Sequence, residues 1–188
     1  MKLAARNLLY DRLRLWLSVT SVSLALMLIV LLNGLLNGMY QQVSAYLEHA
    51  PGSLVVTQTG VSNLLGATSI LPAAITDDVR RVDGVERAVP ILSQFIVIEL
   101  HGRKQPVYLI GYEPDLGGGP WRLAAGRPPQ TDSEIVFDRV LAKRHGVHVG
   151  DTIDLMGHPL VVSGLSDGTT SWMTSFVFVR KGGAEALL

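Results

Sequence analysis

Apolar and polar positions along this chain fall into two regimes. From residue 15 to residue 47 there is no charged side chain, and 15–32 (LWLSVTSVSLALMLIVLL) is apolar almost throughout. A bilayer core of roughly 30 Å takes about 20 apolar residues as helix. An uncharged run this long reaches roughly 50 Å as helix, so it can span and still project beyond the far surface. Gly34 and Gly38 form a G-x-x-x-G, with Ser18, Ser21 and Ala25 continuing a small-residue face upstream. Such a face lets two helices approach closely in lipid; the plainer alternative is two glycines near a helix end. Gln41, Gln42 and Ser44 then carry the helix on as a stalk in water until Pro51-Gly52 stops it.

Beyond the stalk the pattern breaks into short runs. Residues 53–58 (SLVVTQ) read as a strand by their β-branched content. The segment 59–72 is a long Gly/Ser/Asn loop carrying Leu64, Leu65, Ile70 and Leu71, a length that invites a functional role. Thr76 is the expected N-cap of a short helix with Asp77 and Asp78 in its first turn, closed by Gly84. Strands follow at 87–91, 94–100 and 106–111, the last two as a hairpin across His101-Gly102-Arg103-Lys104. The Gly/Pro-rich stretch 113–130 marks a change of subdomain. Then come a strand at 134–137, a helix over Arg139–His145 capped by Gly146, and strands 152–156 and 160–165 paired across Gly157-His158-Pro159. A polar loop, 166–174, precedes a strand over Ser175–Arg180, and 182–188 reads as a linker entering another helix.

The charges orient this plan. Lys2, Arg6, Arg12 and Arg14, against Asp11 alone, precede the uncharged run; beyond it the first acid is Glu48 and the next Lys or Arg is Arg80. Lys and Arg beside a span favour the cytoplasmic side, which places the N-terminus inside and the rest of the chain outside. A cleaved signal peptide has an apolar stretch of only about 7–15 residues before a small-x-small site. Here the stretch is longer, and Ser44-Ala45-Tyr46 is a poor, misplaced match, so the segment reads as a retained anchor. In 1–14 apolar and basic residues do not separate cleanly at helical spacing, unlike an amphipathic helix lying on the membrane. Net charge is zero overall, but twelve bases and fifteen acids follow the span; an exterior part near −3 argues against nucleic acid. There is no cysteine, hence no disulfide and no thiolate metal site. About 140 residues follow the span, enough for one domain with its own core.

Three groupings of residues bear on chemistry. Gly164-Leu165-Ser166-Asp167-Gly168 matches G-x-S-x-G, yet all five histidines (His49, His101, His145, His148, His158) precede the serine. In hydrolases with that elbow the histidine base follows it, so the match reads as a turn of small residues. His145 and His148, with Asp151 and Asp154 nearby, straddle a helix end and read as solvated polar residues rather than metal ligands. Gly117-Gly118-Gly119 lacks the following Lys and hydroxyl of a nucleotide loop, a pattern found nowhere in the chain. Trp121 and Trp172 sit in loops as packing anchors. No catalytic, cofactor-binding or metal-ligating residue is assigned, and no enzyme activity is expected.

The opening LAARNLLYDRLRLWLSVTSVSLALML, Gly84-Val85, LIGYEPDLGGGPWRLAAGRPP (109–129), EIVFDRVLAKRHGVHVGDTIDL (134–155) and VVSGLSDGTTSWMTSFVFV (161–179) occur in an order that resembles FtsX/MacB-type permease subunits of ABC transporters, in the branch related to DevC-like exporters. The resemblance implies an α+β chain: cytoplasmic segment 1–14, transmembrane helix and stalk 15–47, and a periplasmic MacB-like core domain 48–188. That domain would be an α/β porter-like part with a small β-rich subdomain inserted at about 113–160. It also implies a permease of an export or lipoprotein-release system in the inner membrane, working by mechanotransmission. The implied partners are a separate ATPase, a second permease subunit (homo- or heterodimer) and a periplasmic membrane-fusion protein. Family members continue into three more membrane helices, so the chain is expected to be an N-terminal portion. The rival reading from another class is a single-span, membrane-anchored periplasmic binding or scaffold protein.

Overall fold

The computed structural model describes residues 12–50, 52–61, 69–170 and 174–188, and leaves out the side chains of 39–45, 47 and 48. Readings that fall on 1–11, on Pro51, on 62–68 and on Trp172 lie outside the described residues. The chain divides into two compact units, Met1–Gln42 and Val43–Leu188. Helix α1 (Arg12–His49) begins in the first and ends in the second. Its stretch Arg12–Gly38, 27 residues, is long and apolar enough to cross a membrane, about 40 Å at 1.5 Å per residue. Leu24, Leu28 and Leu31 along it are exposed, as lipid-facing side chains would be. Ser21 Oγ donates back to the Leu17 carbonyl and Asn37 Nδ2 to Asn33 Oδ1, so these polar side chains find partners within the helix.

The second unit is built on one seven-stranded sheet. Its strands are β1 (Leu92–Leu100), β2 (Arg103–Tyr112), β3 (Leu123–Gly126), β4 (Glu134–Asp138), β5 (Thr152–Leu155), β6 (His158–Ser166) and β7 (Ser175–Arg180). They run in the order β1-β2-β7-β4-β6-β3, with β5 also on β6. The β2–β7 and β4–β6 pairs are parallel and the others antiparallel. β1 and β2 form the expected hairpin, closed by His101 and Gly102, both at positive φ, the geometry that matches strand twist in a two-residue turn. The strands between 113 and 160 share this sheet with the rest.

β7 is buried on both faces, which is why Phe176-Val177-Phe178-Val179 reads as a continuous apolar run. Val177 and Val179 face a core made with Leu109, Phe137 and Val162, covered by helices α3 (Arg139–His145) and α4 (Lys181–Leu187) through Leu141, Ala184 and Leu187. Phe176 and Phe178 face the opposite side with Ile110, Tyr112, Val136 and Tyr46.

Two predicted strands are absent, for identifiable reasons. Leu54 is 87% exposed, and in 53–58 polar groups bond locally rather than in a ladder: Thr57 Oγ1 to the Val61 carbonyl, and the Gln58 N–H to Ser69 Oγ. β-Branched content without a strand alongside does not make a strand. In 87–91, Pro90 has no N–H to give a ladder, and Val89 and Ile91 instead pack towards Gly118. Helix α2 (Ile75–Arg80) also starts earlier than Thr76: its cap is Ala74, without a side-chain cap bond. The Ile75 N–H already reaches the Pro72 carbonyl, and the fixed φ of proline favours starting the winding there. The chain from 182 continues as α4 directly from β7, with no linker between them.

Candidate functional site

The last turn of α1 ends in a socket on the sheet. Tyr46 is 2% exposed. Its ring stacks on Phe176 (centroids 5.5 Å, 27° between planes) and leans on Trp121 at 6.4 Å. Its hydroxyl donates to the Gly118 carbonyl at 3.0 Å. Three residues on, about one turn further along the same face of the helix, His49 stacks on Trp121 at 4.6 Å and 17°. From Phe176 the ring contacts continue to Tyr108 and Phe178, from Tyr108 to Phe95, and from Phe178 to Tyr112. Burial pushes the Tyr46 phenol well up and that of Tyr112 up to about 12, so both stay neutral and Tyr46 keeps the proton it donates to Gly118.

The triple glycine is the receiving surface of this socket. Gly118 sits at φ +88, and a Cβ on it would lie 2.8 Å from Ile91 Cδ1. A Cβ on Gly119 would fall on the Tyr112 ring. Only glycine allows the loop to lie this close to both neighbours while turning its Gly118 carbonyl to Tyr46. Trp121 is a packing anchor here, as expected of it. The Tyr46 seat was not legible from sequence; the available signal was two rings, Tyr46 and His49, at i, i+3 on the stalk.

A second constellation centres on Asp138, fully buried at the end of β4. Oδ1 caps α3 by accepting from the Leu141 N–H at 2.8 Å. The same carboxylate accepts from the hydroxyls of Thr169 (2.8 Å), Thr170 (2.9 and 3.0 Å) and Ser175 (3.2 Å). Ser166, the serine of the G-x-S-x-G match, is also fully buried: it donates to the Phe137 carbonyl at 3.2 Å and lies 2.6 Å from the Thr169 hydroxyl. That hydroxyl is part of the packing of β6 on β4. The neighbouring Asp167 is held by Arg122 at 2.5 Å and Arg139 at 2.6 Å. Nearby, Arg127 grips Glu134 with two bonds, at 2.6 and 2.8 Å. With the Gln130 N–H added, this holds the Glu134 carboxyl down at about 2.

The four residues of the His/Asp grouping do not converge. His148 pairs with Asp151, and Asp154 accepts from the Gly157 N–H in the β5–β6 turn. Among the described residues no three His, Asp or Glu side chains stand close enough to hold a metal. His145 corrects the expectation of a solvated residue: it is 9% exposed, because the end of α3 packs into the core through Leu141, Ala142 and Val147. Gly34 and Gly38 lie on α1 with open space where a Cβ would go.

An apolar helix long enough to cross a membrane and a two-faced mixed sheet define the chain as α+β. The family description MacB-like periplasmic core domain matches residues 15–186; the chain belongs to this family. Among solved structures, the chain is similar to the extracellular domain of the noncanonic ABC-type transporter YknZ from Gram-positive bacteria, at 16% identity and a TM-score of 0.49, over 62% of this chain and 65% of that one. It is similar also to the periplasmic region of MacB from Actinobacillus actinomycetemcomitans, at 16% identity and a TM-score of 0.41, over 58% and 54%. The chain thus spans less than two thirds of the length of either. No curated protein matches it.

Proposed function

We propose that this chain is the anchor and periplasmic part of a permease subunit in an ABC transporter of the export or lipoprotein-release type, acting by mechanotransmission. The observation that carries the reading is the Tyr46 socket, in a chain whose family match runs from the apolar helix through the whole sheet. A helix resists bending, and a seat that buries an aromatic ring and a hydrogen bond lets a push on that helix reach β7 without covalent chemistry. The basic residues before the span put residues 1–14 in the cytoplasm, with 15–47 as anchor and stalk and 48–188 outside, the inserted part near 113–160. A separate ATPase supplies the energy. A second permease subunit packs against Gly34 and Gly38, and a membrane-fusion protein meets the exterior domain.

The test uses the whole permease in its own membrane. Gly34→Leu with Gly38→Leu should abolish transport while the exterior domain keeps its protease resistance. Unchanged transport by a normally inserted double mutant would remove the packing role. The chain has no cysteine, so Arg6→Cys and Arg103→Cys report orientation with an impermeant thiol reagent. Labelling of position 6 but not 103 in intact cells would overturn the topology.

A further inference from the structure

β1 is an end strand of the sheet: β2 pairs along one side of it, and no strand pairs along the other. The hairpin fixes which backbone groups that outer side carries. His101 and Gly102 make a two-residue turn closed by Leu100 and Arg103. In such a hairpin the closing pair exchanges hydrogen bonds, and every second pair back from it does the same. Ile98, Ile96 and Gln94 therefore turn their N–H and C=O groups to β2. Phe95, Val97 and Glu99 turn theirs outward, where no hydrogen bond reaches them among the described residues. Native edges are blunted with lysine, proline or a bulge. β1 has none of these, and its one charge is Glu99.

Beside this edge lies β5, in contact with β1. The Met156-Gly157 turn, closed by Leu155 and His158, turns the backbone groups of Asp154 away from β6 by the same rule. Between the two strands is an open cavity of about 470 Å³, lined by Val97, Ile98, Glu99, His101, Asp154 and Met156 with Gly102, a size within the range of ligand sites. Val97 and Met156 are more than half exposed, and Phe95 continues the apolar strip along β1. The lining holds two carboxylates and no lysine or arginine. Neither carboxylate is in an ion pair among the described residues: Glu99 lies opposite Lys104 in the ladder, and Asp154 accepts from the Gly157 N–H.

We propose that the outer edge of β1 takes an extended, basic segment of a partner protein as an added strand. Its backbone pairs with Phe95, Val97 and Glu99, an apolar side chain enters between Val97 and Met156, and a lysine or arginine meets Glu99 and Asp154. Charge selects this occupant. A second copy pairing its own β1 here would bring another carboxylate and no base. The inference rests on the proposed exterior placement of residues 48–188 for the compartment in which the partner is met, and not for the seat itself.

The probe is a fluorescent eight-residue peptide of alternating lysine and valine, with a glutamate–valine peptide as its counterpart, added to the full chain in non-ionic detergent. The lysine peptide should raise its anisotropy on binding and the glutamate peptide should not. Hydrogen exchange should slow at the N–H groups of Phe95, Val97 and Glu99 and stay as it was at Ile96 and Ile98, which are already in the ladder. Val97→Pro removes one outward N–H and none that faces β2, and should weaken binding about tenfold. Glu99→Gln with Asp154→Asn should weaken it about three- to tenfold. No binding of the lysine peptide up to about 1 mM overturns the proposal, as does equal binding of the glutamate peptide or protection that spares the three outward N–H groups. Outward N–H groups already protected in a self-associated chain without peptide give the edge to a second copy and overturn it too. Should Val97→Pro fail to fold, undiminished binding by the Glu99→Gln, Asp154→Asn variant decides against it. Transport plays no part in these measurements, so this seat and the permease reading stand or fall separately.

Discussion

Truncating Tyr46 to alanine should unseat the end of α1 at a cost that can be worked from the socket. A tyrosine buries about 150–250 Å², which at about 25 cal/mol per Å² is roughly 4–6 kcal/mol. This is an upper bound, because an unfolded chain already buries some of that area. Aromatic-to-alanine changes in cores cost about 3–5 kcal/mol, and with Tyr46 only 2% exposed the upper half of that range applies. Tyr46→Phe keeps the Phe176 stack but leaves the Gly118 carbonyl without its donor, worth about 1–2 kcal/mol. Packing thus accounts for most of the seat. Urea unfolding of the full chain in mild detergent, followed at Trp121 with Trp16 and Trp172 replaced by Phe, separates the two variants. With an m value of about 2 kcal/mol per molar, Tyr46→Ala should lower the midpoint by about 2 M and Tyr46→Phe by less than 1 M. An alanine variant within about 0.5 kcal/mol of the natural chain, the scatter of ordinary surface changes, would refute the socket. Equal losses in the two variants would refute the primacy of packing.

Asp138→Ala removes a helix cap and the shared acceptor of three hydroxyls, and should cost at least about 3 kcal/mol in the same assay. Gly119→Ala drives a methyl into the Tyr112 ring and should cost about 1–3 kcal/mol, with the near-ultraviolet tyrosine signal altered in the folded state. Glu134 has its carboxyl held near 2, below its unfolded value. Its share of stability is therefore complete above about pH 4.5 and is lost as pH falls towards 2; in Glu134→Gln that segment of the pH–stability profile should flatten.

What was legible in the sequence is what local chemistry decides. Gly146 stops α3, the turn at His101-Gly102 closes the hairpin, and Ser175–Arg180 reads as a strand without knowledge of its neighbours. The reading failed where the outcome depended on partners far along the chain. The strand expected at 53–58 has the right residues and no ladder to join. Pro90 vetoed 87–91 as a strand, and α2 took its start from Pro72 rather than from the better capping residue, Thr76. The two constellations of the site were hidden for the same reason. Tyr46 meets a glycine 72 residues away, and Asp138 collects hydroxyls 31, 32 and 37 residues on. Spacing along the chain carries no trace of either. His145 looked solvated because it sits at a helix end before a glycine, whereas that helix end packs into the core through Leu141, Ala142 and Val147.

The distances along the chain spanned by the Asp138 network bear on the order of events in folding. The cap on Leu141 is local and can form as soon as α3 winds, whereas the hydroxyls of Thr169, Thr170 and Ser175 arrive only after the intervening β5 and β6 have closed a loop, with its entropic cost. Contacts of that kind form late, on the native side of the barrier, and act on the unfolding rate rather than on the folding rate. Asp138 is then two devices in one carboxylate: an early guide for a helix, and a late bolt that sets how long the finished sheet survives. Replacing Thr169 and Thr170 with valine should accelerate unfolding and leave refolding nearly unchanged, whereas Asp138→Ala should slow refolding as well.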